Sequence, residues 1–229
     1  MRIVALILAV TIPIFCFSFG VIGSFLFTFT VPLFWEIGIR ERTPASLGLT
    51  RIRLPRAIFS GLITGIVFGL LGGGILVLLG LTGHSIENAT PYSCSFGSFT
   101  YVLPLEKELC YRILTMEDSL LSTLTYLTFS IFLIGLGEEI FWRGFLQKKI
   151  IRRIGRHRGV LATSLVFAAV HVYLFAIAPL WQAMVFIGII GLAGALWGYL
   201  YLFQKTIWGV ALSHGIAAFL VWKFFFFSG

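Results

Sequence analysis

Five polar side chains interrupt long apolar runs: Glu138, Glu139, Arg143, His171 and His214. An ionisable group placed in lipid is costly enough to be functional by default. Spacing gives the first three different roles. On a helix, Glu139 and Arg143 stand at i and i+4 with the acid N-terminal, the favourable order for an ion pair. Glu138 lies about 100° around the helix from Glu139, which makes it the candidate for a free carboxylate. Glu138 stands ten residues before Lys148, His171 thirteen after Arg158, and His214 nine after Lys205. If each basic residue marks one membrane boundary, continuous helices put the three groups at depths of about 15, 20 and 14 Å, a common layer. A carboxylate and two imidazoles there can hold and activate a water, with or without a divalent metal such as zinc held by Glu138, His171 and His214. The plainer reading of each histidine is a hydrogen bond to neighbouring backbone.

The elements that must carry these groups are apolar helices. Of 229 residues, 59% are hydrophobic and 11% charged, against roughly 25% charged in a soluble domain. Uncharged runs long enough to span a bilayer cover 3–35, 57–83, 119–137, 159–178, 181–203 and 206–222. They predict an all-α polytopic transmembrane bundle of six to eight spans. The chain reads as one transmembrane domain, residues 1–229, with N-terminal spans and an outer loop in 1–118 and the core helices bearing the polar layer in 119–227. The first run is too long for one upright crossing and carries Pro13, Gly20 and Gly23 as bending points. It lacks a small-residue cleavage site and reads as a retained helix. Gly61, Gly65, Gly69 and Gly73 recur every four residues and define a face for close helix packing.

The net charge of +8 does not describe a nucleic-acid surface, because its basic residues gather at two places. Arg40, Arg42, Arg51, Arg53 and Arg56 precede the second run, and Lys148, Lys149, Arg152, Arg153, Arg156 and Arg158 separate the third from the fourth. Both segments, 40–56 and 148–158, read as cytoplasmic loops of an integral membrane protein by the positive-inside rule. The 84–118 segment then lies on the opposite side as a cap or gate. It holds Cys94 and Cys110, open to a disulfide or to two free thiols, and Asn88 in an N-x-T triplet.

Other hydrolytic chemistries lack their parts. Asp118 is the only aspartate, so an aspartyl dyad cannot be built, and neither H-E-x-x-H nor G-x-S-x-G occurs. Ser213 is adjacent to His214 in sequence and so points away from it on a helix.

These residues resemble the CPBP family, which includes CAAX-type prenyl proteases and bacteriocin-processing enzymes. Glu138-Glu139-Ile140-Phe141-Trp142-Arg143-Gly144 is similar to its E-E-x-x-x-R-G motif, Phe167-Ala168-Ala169-Val170-His171 to F-x-x-x-H, and Ile207-Trp208 with His214 to the third motif. Leu47-Gly48-Leu49 is similar to the family's N-terminal region. The motif-bearing part covers roughly 119–222. The resemblance implies an intramembrane endopeptidase, of a bacterial or archaeal cytoplasmic membrane, acting on a membrane-embedded or lipid-modified protein or peptide among membrane lipids. It implies that Glu138 and His171 activate water, that Glu139 and Arg143 support them, and that His214 stabilises the oxyanion or binds a metal. Phe141, Trp142 and Phe167 surround the layer, where they keep it dry or simply pack. The departure is Ala218, where the family usually has asparagine. Loss of one oxyanion donor costs about 10² to 10³ in rate. The alternatives are a slower enzyme, a substitute donor such as Trp208, or a catalytically silent binding or immunity protein. A proton-coupled transporter is a third class, disfavoured by the lack of an inverted repeat.

Overall fold

The computed structural model describes residues 28–78, 95–96, 99–100, 120–172, 175 and 180–227. The start of the first run, Cys16, Asn88, Cys94 and Cys110 lie outside the described residues. The architecture is all-α, with one small exception: Ser95–Phe96 pairs antiparallel with Phe99–Thr100. The helices are α1 (Thr28–Ile39), α2 (Leu54–Leu78), α3 (residues 120–154), α4 (Arg156–Ala169), α5 (Leu180–Gln204) and α6 (Trp208–Phe227). Among the described residues, Leu54–Ile75, Thr123–Ile154 and Leu180–Gln204 are long and apolar enough to cross a membrane, while Thr28–Ile39 and Trp208–Val221 are shorter apolar helices. Their outer faces expose Phe59, Leu71, Leu165, Leu192 and Phe203. Hydrocarbon is the solvent that suits such a surface.

The glycine face of α2 packs along α6. A Cβ on Gly61 would strike the backbone of Gly209, one on Gly65 would strike Ser213 and Ile216, and one on Gly69 would strike Leu220. Lipid offers no hydrophobic drive for helices to associate, so this close approach, with its dispersion contacts, holds the pair.

α3 departs most from the expected spans. The third apolar run ends at Gly137, yet the helix continues through Glu138 and Glu139 to Ile154. It contains two wide, π-type stretches, Ser130–Gly137 and Ile140–Gln147. Such wide turns recur at functional sites. Two glycines bring foreign backbone against it, Gly135 admitting the Ala211 carbonyl and Gly144 the Leu47 carbonyl. The basic 148–158 segment is therefore not a loop. Lys148–Ile154 finishes α3, Gly155 turns the corner at φ 86°, and α4 begins at Arg156. A left-handed φ of that kind is open to glycine at little cost.

α4 is also shorter than its apolar run. The helix ends at Ala169, and His171 sits in a turn rather than inside a continuous span 159–178. The cause is local. The His171 Nδ1–H donates to the Phe167 carbonyl at 2.8 Å, the acceptor that the backbone N–H of His171 would use in an α-helix. That N–H turns instead to the Ala168 carbonyl at 3.0 Å.

The segment after α1 locks the core from its basic end. Pro44–Leu47 forms a 3-10 turn and Leu47 is completely buried. The Gly48 carbonyl accepts the Ile207 N–H at 3.0 Å, and Thr206 Oγ1 donates to the Thr50 carbonyl at 2.8 Å. Lys148 Nζ reaches the Ser46 carbonyl at 2.8 Å. Residues 43–50 thus tie α3 to the turn before α6, the two helices that carry Glu139 and His214.

Candidate active site

The centre of the bundle is a charge cluster drawn from three helices. Glu139 and Arg143 are 0% and 1% exposed. Arg143 Nη1 donates to Glu139 Oε1 at 2.7 Å, the i,i+4 pair expected of the sequence, and Nη2 donates to the Gly194 carbonyl on α5 at 2.9 Å. The same Glu139 oxygen lies 2.8 Å from His214 Nδ1 on α6. A carboxylate oxygen only accepts, so Nδ1 carries the hydrogen of that bond. Glu139 is therefore more than a neutralised neighbour of Arg143. It fixes the tautomer and orientation of His214, leaving Nε2 as the ring's other polar atom.

Phe167 is the apolar hub. His171 and His214 both meet its ring edge-on, with centroids at 5.1 and 6.0 Å. Arg143 lies over the same ring at 5.1 Å, and Trp142 meets it edge-on at 5.3 Å. Phe141 packs against Trp142 in turn, with ring centroids 5.0 Å apart. The two histidines thus share one neighbour, brought to it by the end of α4 and the middle of α6. The bond to the Phe167 carbonyl places the His171 hydrogen on Nδ1 and its lone pair on Nε2, the form of imidazole that accepts a proton.

Glu138 occupies a different environment from Glu139. It is half-buried rather than sealed, and it lies within electrostatic reach of His214, Glu139 and Arg143. His171, also half-buried, lies within reach of His214. His214 of α6 thus stands within reach of both Glu138 on α3 and His171 in the turn after α4.

Among the described residues, no three His, Cys, Asp or Glu side chains gather closely enough to hold an ion.

Trp208 opens α6, six residues ahead of His214. The indole that stacks on His214 belongs to Trp197 of α5, with ring centroids 4.0 Å apart and planes 24° apart. Sequence reasoning missed Trp197, because nothing in an apolar run distinguishes one tryptophan from its lipid-facing neighbours. Ser213 makes no nucleophile pair with His214: its Oγ lies 3.0 Å from Trp197 Nε1 and 2.9 Å from Thr64 Oγ1.

The membrane-length apolar helices define an integral membrane protein, and Glu139, Arg143 and His214 meet in its interior. Residues 120–220 match the family model described as Type II CAAX prenyl endopeptidase Rce1-like. Residues 120–220 therefore form an Rce1-like domain, of the type II CAAX prenyl endopeptidase family. No curated protein and no solved structure matches the chain.

Proposed function

We propose that the domain hydrolyses a peptide bond in a membrane-associated, lipid-modified protein or peptide, using a water activated by Glu138 and His171. The observation that carries this reading is the unequal placement of the two adjacent glutamates. Glu139 is sealed between Arg143 and His214, while Glu138 stays half-buried beside them. A general base must reach water and substrate, and of the two carboxylates Glu138 has the access. His171, with its Nε2 lone pair, shares the water. As water adds to the scissile carbonyl, its proton passes to Glu138 and then to the departing amine. His214, held by Glu139 at Nδ1, stabilises the negative oxygen of the tetrahedral intermediate in its doubly protonated form, with Nε2–H as the donor. Phe167 and Trp142 limit the water that reaches the layer.

By the positive-inside rule, residues 40–56 and 148–158 face the cytoplasm of a bacterial or archaeal cell. The packing of α2 along α6 supports treating 1–229 as one transmembrane domain, since α2 precedes the matched residues.

The test compares membranes of cells carrying the wild-type protein, Glu138→Gln or His171→Ala, with cleaved peptides read by mass spectrometry. A farnesylated peptide ending in Cys-aliphatic-aliphatic-X, and its unprenylated twin, report the substrate class in parallel. Products present with wild type and absent with both variants are expected. Equal products from all three would overturn the reading. Ala218 favours a second reading, a catalytically silent binding protein. Under it, Glu138→Gln leaves the cellular phenotype unchanged, and Ala218→Asn changes little.

A further inference from the structure

We infer that Trp197 is a positioning residue of the active site, and that its indole is fixed by a hydrogen-bonded chain ending on α2, outside the matched residues. The inference rests on the proposed role of His214.

His214 has two restraints. One is the bond from Nδ1 to Glu139 Oε1 at 2.8 Å, which sets a direction but leaves the ring free to tilt about it. The other is the Trp197 face, 4.0 Å away and nearly parallel, which removes the tilt. A hydrogen bond and a stacked plane together fix where Nε2 points. Phe167 meets the ring edge-on at 6.0 Å and closes a further side.

A stacked ring orients its partner well only if it is itself immobile. Trp197 is 6% exposed, and its Nε1–H donates to Ser213 Oγ at 3.0 Å. Ser213 Oγ lies 2.9 Å from Thr64 Oγ1, and Thr64 Oγ1 lies 2.7 Å from the Ser60 carbonyl. Each hydroxyl has one hydrogen, so one arrangement satisfies every group: indole to Ser213, Ser213 to Thr64, Thr64 to the Ser60 carbonyl. The chain starts on α5, passes through α6 and ends on the backbone of α2. The close approach of Gly65 to Ser213 makes the last crossing short enough. The serine next to the site histidine therefore acts as an anchor for the ring that steadies that histidine, and α2 becomes part of the site's support.

The experiment uses the full chain in nanodiscs with the farnesylated Cys-aliphatic-aliphatic-X peptide as probe. Trp197→Leu is expected to lower kcat at least tenfold, with KM within twofold of wild type. Trp197→Phe keeps a stacking ring and is expected to recover most of kcat. Ser213→Ala frees the indole and is expected to fall between them. A readout independent of turnover is the Hε1 proton resonance of His214, which the stacked indole displaces upfield. It is expected to move downfield in Ser213→Ala and furthest in Trp197→Leu. Wild-type kcat in Trp197→Leu, or an unmoved His214 resonance in Ser213→Ala, overturns the inference. If Trp197→Leu does not fold, the Ser213→Ala and Trp197→Phe results decide alone. Should Glu138→Gln cleave the probe as fast as wild type, the catalytic reading fails instead, and the resonance still tests the anchoring.

Discussion

Two clusters of opposite charges meet α3, and they differ in almost everything but their composition. In the bundle centre, Arg143 and Glu139 pair at 2.7 Å with side chains 1% and 0% exposed. At the basic end, Glu36 pairs with Arg42 at 3.0 Å and with Lys149 at 3.2 Å, and these two cations are 38% and 30% exposed. The central pair has lost its water and offsets part of the cost through further hydrogen bonds, from His214 to Glu139 and from Arg143 to the Gly194 carbonyl, while Glu139 Oε2 and Arg143 Nε have no hydrogen-bond partner among the described residues. The outer cluster keeps part of its hydration. Taking one member from the first leaves a buried charge without its counter-ion, whereas the second can be trimmed cheaply. The proposed chemistry lies beside the first cluster, while the second anchors α1 to the end of α3.

Breaking the central pair is the severest test of this contrast. Arg143→Met strands the Glu139 carboxylate and is expected to cost about 3–5 kcal/mol of stability, read by denaturant unfolding of the detergent-solubilised protein. A loss below about 1 kcal/mol would mean that the pair is solvated after all. Gly144→Ala comes next. Its new methyl group meets the Leu47 carbonyl, and the expected cost is about 1–3 kcal/mol, with a fall in activity as residues 43–50 shift against α3. The same unfolding measurement checks it. Glu36→Gln is the mildest: with both partners partly exposed, it is expected to change stability by about 1 kcal/mol or less and to leave kcat near wild type.

What the sequence disclosed follows from the range of each interaction. The Glu139–Arg143 pair is four residues apart and was legible from helix geometry alone, as was the glycine face of α2. The separation of Ser213 from His214 was legible for the same reason. The bond from Glu139 to His214 joins residues 75 apart, and the Trp197 stack joins α5 to α6; both depend on how helices pack, which no local pattern encodes. Hydropathy ended the third span at Gly137, because a count of uncharged residues stops at Glu138 although the helix that carries it runs on to Ile154. It also ran the fourth span through His171, because the competition of an imidazole for the Phe167 carbonyl leaves the apolar pattern unchanged. The basic 148–158 stretch read as a loop by charge, yet its residues continue two helices around Gly155.

Adjacent glutamates with opposite duties are the centre of this account, and one paired measurement addresses them. Glu138→Gln and Glu139→Gln are purified in nanodiscs, and each is measured for kcat on the farnesylated peptide and for thermal stability. The account predicts that Glu138→Gln loses at least about 10² in rate at wild-type stability, while Glu139→Gln loses stability together with rate. Wild-type turnover by Glu138→Gln, in a protein that melts like the parent, would contradict it.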